Sequence, residues 1–148
     1  MKLHDLSDLA ARIERGERLS AADAERLWST PHLHALRELA DRVRHRLHGD
    51  RVARVRASSG PGAAVLSARA ATVASLLALR DQHHASVLVR DKSTALELLR
   101  VIACARLVLD DVPHIAASAA ELGRELSQLA LDWGADQLVE VALEEVAA

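Results

Sequence analysis

A helix-rich α/β fold is predicted by three features of this chain. Its first fifty residues carry apolar stripes at helical spacing. From residue 65 onward, helical patterns alternate with short apolar segments, the rhythm of βα units around a parallel sheet. Between these parts, residues 57–64 are small and turn-rich. The expected organisation is therefore N-terminal helices and a first strand over 1–56, a linker over 57–64, and βα units over 65–148. Together these are expected to form one compact domain, since 148 residues suffice for one real core and not for two of ordinary size.

The elements follow in order. Leu6, Leu9, Ala10 and Ile13 share one helical face, and Gly16 stops that helix. Ser20 followed by Ala21, Ala22 and Asp23 is a capping-box pattern with Asp in place of Glu, and it opens a short helix through Leu27 and Trp28. Thr30-Pro31 pairs an N-cap hydroxyl with proline at the first helical position. The helix it predicts, over 31–48, carries Leu33, Leu36, Leu39, Ala40, Val43 and Leu47 in one stripe and ends before Gly49.

Arg51 to Arg56 alternates as a half-buried strand would. A helix is expected from Val65 to about Asp81, with Leu66, Val73, Leu76 and Leu77 on its buried side. Ser86 to Arg90 is a strand, and Ser93 or Thr94 caps a helix running to about Asp110. The centre of that helix, Val101 to Ala105, has no polar residue on any side, so it is buried all round or covered by a partner. Val101, Ile102, Ala105 and Val108 are the candidate interface residues. A last helix is expected from Ala119 to Trp133, stopped by Gly134. The pattern over 137–143 suits strand and helix equally.

Composition narrows the chemistry. Half the residues are apolar and 27% are charged, a globular balance. Trp28 and Trp133 are the only aromatic residues of the Phe, Tyr and Trp class, so Leu, Val, Ile and Ala must fill the core. A net charge of −2 gives no overall attraction to nucleic acid or anionic membrane. The Arg-rich stretch from Arg42 to Arg56 lacks interleaved aromatics for base stacking and reads as a solvated face. Met1-Lys2-Leu3-His4-Asp5 turns polar at once, and no apolar run approaches the roughly 18 residues that span a bilayer. The expectation is a cytoplasmic protein with no membrane and no nucleic-acid partner.

Cys104 is the single cysteine and lies in the all-apolar helix centre, where a structural thiol is expected rather than a nucleophile. A four-cysteine zinc site, an internal disulfide and a cysteine-ligated cluster are all excluded within these 148 residues. Of eight histidines, His45 and His48 stand three apart on one helix, a spacing that can chelate; they are the weak metal candidates. A C-terminal His also suits the helix macrodipole. His32 and His34 point to different faces, and His83-His84 reads as a surface turn. Gly60-Pro61-Gly62 lacks the Lys-Ser/Thr tail of a phosphate loop.

Two stretches carry a resemblance. The first runs through Leu19-Ser20, Ala24 and Leu27, then Leu36-Arg37-Glu38-Leu39-Ala40-Asp41-Arg42-Val43-Arg44 and His48-Gly49-Asp50-Arg51-Val52. The second includes Leu76 to Gln82, Leu98 to Ala103, Ala105 to Asp110, Pro113-His114-Ile115, Gln128 to Leu131, Gly134-Ala135-Asp136 and Glu144-Glu145. Together they resemble the two ends of the radical S-adenosylmethionine enzymes of the futalosine route to menaquinone, aminofutalosine synthase and dehypoxanthine futalosine cyclase. The middle of those enzymes has no counterpart here. Where their Cys-x-x-x-Cys-x-x-Cys motif belongs, this chain has Ala57-Ser58-Ser59-Gly60-Pro61-Gly62.

The resemblance implies a partial (β/α) barrel sector with a few short parallel strands; the alternative is a repacked, mostly α-helical bundle. First and last strands are neighbours in a closed barrel, so removing the middle leaves a contiguous sector. It also leaves open sheet edges, which implies association, as a homo-oligomer or with a full-length futalosine-pathway radical enzyme. Ala116-Ala117-Ser118-Ala119 and Gln137 to Val141 stand where the family carries polar and aromatic groups at strand ends. This implies a non-catalytic scaffold or partner with no iron–sulfur cluster and no other cofactor. The competing implication is a small-ligand or nucleoside-binding protein, or an enzyme subunit completed by another chain, with His114, Asp136, Glu144 and Glu145 as its ligand-binding residues.

Overall fold

The computed structural model describes residues 6–55, 63–91 and 93–140. Three helices come first: α1 (Ser7–Glu14), α2 (Ala21–Ser29) and α3 (Leu33–His48). Five strands and three helices follow in the order β1 (Ala53–Val55), β2 (Ala63–Ser67), α4 (Val73–Leu79), β3 (Ser86–Arg90), α5 (Ala95–Val108), β4 (His114–Ser118), α6 (Ala119–Asp132) and β5 (Gln137–Val139). The strands form one parallel sheet ordered β1-β5-β4-β3-β2. The fold is α/β, and the first strand lies beside the last, as in a sector of a closed parallel barrel. The five-stranded sheet rules out the alternative of a repacked, mostly α-helical bundle.

Side-chain alternation divides the sheet into two apolar faces, the usual condition of a parallel sheet. Leu66, Val87, Val89, Ile115, Ala117 and Leu138 join the helices in the main core. On the opposite face Leu88, Ala116 and Val139 form a second, smaller cluster, with Val55 packed against it. Val65, in register with Leu88, is 49% exposed at the β2 end of that face.

Helix α5 sits at the centre of the main core, against β3, β4, α2, α3, α4 and α6. This explains its lack of a polar face. Val101, Ile102, Ala105 and Val108 are covered by elements of the same chain and are at most 1% exposed. The interface expectation for these four residues is thereby corrected: the N-terminal helices supply the cover that a partner would have to provide. Arg100 reaches out of this core to donate to the Trp28 carbonyl on α2.

The local signals decide most helix starts. Ser20 accepts from the Asp23 N–H while the Asp23 carboxylate accepts from the Ser20 N–H, a complete capping box. Thr94 caps α5 through the Glu97 N–H. Helix α3 begins at Leu33, two residues later than Thr30-Pro31 predicts, although the Thr30 hydroxyl still accepts from the His32 N–H.

Two expectations fail, and one open segment is decided in part. The helix expected from Val65 is instead strand β2 followed by the shorter helix α4, so the 57–64 linker overlaps the strand by Ala63 and Ala64. Pairing with β3 overrides the weak local preference of Ala63-Ala64-Val65, and the true helix start is a Thr72–Ser75 capping box. Helix α6 is not continuous: Gly123, at φ +79 and ψ 176, kinks it after one turn. The undecided segment after residue 136 begins as a strand, Gln137–Val139; residues 141–143 and most of the linker lie outside the described residues.

Candidate functional site, a buried His-Asp-Arg cluster

Polar groups converge where α3, β4 and β5 meet. His48 ends α3, His114 begins β4, and Asp136 directly precedes β5. The Asp136 backbone helps set this geometry: its N–H donates to the Ile115 carbonyl, and its carbonyl accepts from the Ala53 N–H on β1. The carboxylate is 4% exposed. Its Oδ1 accepts from Arg106 Nη2 at 2.5 Å and from the Ile115 N–H at 2.8 Å. Its Oδ2 faces His114 Nδ1 at 2.6 Å and His48 Nε2 at 3.5 Å.

Arg106 comes from α5 with its side chain 1% exposed. Besides Asp136, it donates from Nε to the Gly134 carbonyl and from Nη1 to the Pro113 carbonyl. Burial lowers its pKa from the ordinary arginine value, and the Asp136 carboxylate opposes that shift. The two imidazoles stack, with ring centroids 4.9 Å apart and planes inclined by 19°. His48 Nε2 also lies 2.5 Å from the Pro113 carbonyl, to which it donates.

The chain brings two of its predicted ligand-binding residues, His114 and Asp136, into direct contact. Glu144 and Glu145 lie outside the described residues. His45 and His48, the weak metal candidates, contact different partners among the described residues. His45 lies near Asp41 and Asp50, at 3.4 and 3.3 Å, while His48 turns toward β4. Sequence spacing missed Arg106 altogether, because its function depends on a residue 30 positions away. The one available signal was an arginine directly after the all-apolar centre of α5.

The cluster lies at the amino ends of the parallel strands. Ligand sites of parallel α/β sheets lie at the carboxyl ends. His114 and Asp136 instead stand at the amino ends of β4 and β5. The carboxyl side has a separate cavity of about 490 Å³, beside the ends of β4 and β5. Arg54, Gly123, Arg124, Ser127 and Glu140 line it. Arg54 and Glu140 face each other at 3.6 Å, and the buried Ser127 hydroxyl has no hydrogen-bond partner among the described residues. Toward β2, Ser67 donates to Asp91, and the Asp91 N–H donates to the Glu121 carboxylate.

Cys104 is 1% exposed, and burial pushes its thiol up to about 12. A lone cysteine buried in a helix does not fit a three-cysteine iron–sulfur cluster, whose ligands must be thiolates around one site.

The family model for the CofH/MqnC C-terminal region matches residues 80–148. Cyclic dehypoxanthine futalosine synthase of Streptomyces coelicolor is 48% identical over 56 residues, or 38% of this chain. Aminodeoxyfutalosine synthase of Thermus thermophilus is 43% identical over 56 residues, again 38% of the chain. The matched stretch spans only 14% and 15% of those two proteins. Residues 80–148 are thus similar to the C-terminal region of the CofH/MqnC family, and that stretch includes β3, β4 and β5 of the five-stranded parallel sheet.

Proposed function

We propose that this protein is a non-catalytic partner subunit linked to menaquinone biosynthesis by the futalosine route, and that it works in association with a second chain. The observation that carries this reading is the sheet: β1 and β2 each pair on one side only among the described residues. Unpaired edges of a parallel sheet are natural pairing sites for another chain. The kinship to futalosine synthases suggests where such a partner belongs, and the single buried Cys104 argues against cluster chemistry carried by these residues. Light scattering tests the proposal at micromolar concentration, for the protein alone and mixed with a futalosine-pathway radical enzyme. A homo-oligomer or a mixed complex is expected. A monodisperse monomer in both samples overturns it.

A second reading, a nucleoside-binding protein, is favoured by the cavity beside the carboxyl ends of β4 and β5. Its volume of about 490 Å³ suits a small ligand. Arg54, Arg124 and Glu140 offer charged contacts, and Ser127 offers an unused hydroxyl. Thermal-shift measurements with S-adenosylmethionine and futalosine-type nucleosides separate the two readings. Stabilisation by one of these compounds supports the second; no shift with any sinks it.

A further inference from the structure

We propose that His48, His114 and Asp136 form a transition-metal site, with Zn²⁺ as its representative ion. One ligand atom from each residue falls within a mutual distance of 4.8 Å. Two imidazole nitrogens and a carboxylate oxygen are a donor set used by zinc and by other late first-row ions.

Both distances to the Asp136 carboxylate are near those required, and the three ligand atoms stay within 4.8 Å of one another. With metal–ligand bonds of about 2.0–2.1 Å, tetrahedral donors stand about 3.3–3.4 Å apart. His48 Nε2 and Asp136 Oδ2 are already 3.5 Å apart. His114 Nδ1, at 2.6 Å from Oδ2, has to withdraw by less than 1 Å. Its side chain is 40% exposed, so it has room to do so. The same exposure leaves a fourth position open to water.

The supporting groups also fit. Asp136 is fixed through its other oxygen by Arg106 and the Ile115 N–H, the kind of outer contact that orients a metal-binding carboxylate. In the metal-free arrangement both coordinating nitrogens point N–H groups at oxygens. A neutral imidazole can carry its proton on either ring nitrogen, which leaves the other free to coordinate. The Arg106 charge works against a cation, which sets the expected affinity in the micromolar range rather than below it. The bound ion would clip the end of α3 to the starts of β4 and β5.

The test is titration of the whole protein with ZnCl₂, followed by calorimetry and thermal melting in a non-coordinating buffer at pH 7.5. One saturable equivalent and a raised Tm are expected. His48→Gln and His114→Gln should each weaken that binding by at least about tenfold, while His45→Ala leaves it unchanged. No saturable binding overturns the site, as does binding that persists undiminished in both glutamine variants. Should a variant fail to fold by circular dichroism, Co²⁺ bound to the unaltered protein decides the matter. Intense visible bands of four-coordinate cobalt support the site, and a weak hexaaquo-like spectrum overturns it.

Discussion

Arg106 Nη2 and Asp136 Oδ1 meet at 2.5 Å in a place where the two side chains are 1% and 4% exposed. This pair joins α5 to the start of β5. Through the Gly134 and Pro113 carbonyls it also ties down both loops that enter β4 and β5. Removing one partner leaves a buried charge and several unpaired groups. Arg106→Met is expected to destabilise the protein by about 3–5 kcal/mol, because the orphaned carboxylate keeps its desolvation cost. Urea unfolding measures this, and a loss below 1 kcal/mol would show that the pair is not buried in solution.

Gly134 lies against the same arginine. Its φ is +116, and an added Cβ would stand 3.0 Å from Arg106 Cβ and 3.1 Å from Ala40 Cβ. Gly134→Ala therefore combines backbone strain with overpacking, and about 2–4 kcal/mol of destabilisation is expected. The matching measurement is the urea midpoint at constant m-value; an unchanged midpoint contradicts the close approach.

Acid should unfold the protein in part through Asp23. The Arg12 guanidinium, at 2.7 and 2.9 Å, is the largest cause holding the Asp23 carboxyl below its usual range, with the Ser20 N–H adding to it. A carboxylate whose folded pKa is depressed stabilises fully above its unfolded value of about 3.9. That stability is lost as pH falls from there through the folded value. Asp23→Asn should lower stability at pH 7 and flatten its decline below about pH 4. A decline of equal slope in both proteins would remove Asp23 from the explanation.

Cys104 should resist chemistry until the chain unfolds. Buried inside α5, with its thiol raised to about 12, it presents almost no thiolate at pH 8. Ellman's reagent is expected to react only on the timescale of unfolding in native buffer and at once in 6 M guanidinium. Rapid native labelling would mean that α5 opens readily.

The two cap hydroxyls lie on different helices and make no shared contact. Thr72→Ala and Thr94→Ala should each cost about 1 kcal/mol and add in the double variant. Thermal melts of the four proteins test both magnitude and additivity.

What the sequence determined by itself was local. Ser20, Thr94 and the leucine stripe of α3 specify their helices through neighbours three or four residues away, and those elements stand where periodicity puts them. The all-apolar centre of α5 was likewise enough to require cover on every side. Tertiary structure alone decided the rest. Ala63 to Ser67 becomes a strand because β3 offers a ladder, which no property of five small and apolar residues announces. Val101, Ile102, Ala105 and Val108 are shielded by the helices and strands packed around α5, since tertiary packing rather than composition chooses between an internal cover and a partner.

The site shows the same division. His114 and Asp136 could be picked out along the chain, but not their end of the sheet. Only strand direction places them at the amino ends, beside Arg106 and His48. These four residues are distant in sequence and meet because α3, α5, β4 and β5 pack together. A cluster of that kind is built by long-range contacts, whose geometry exists only once the chain has folded.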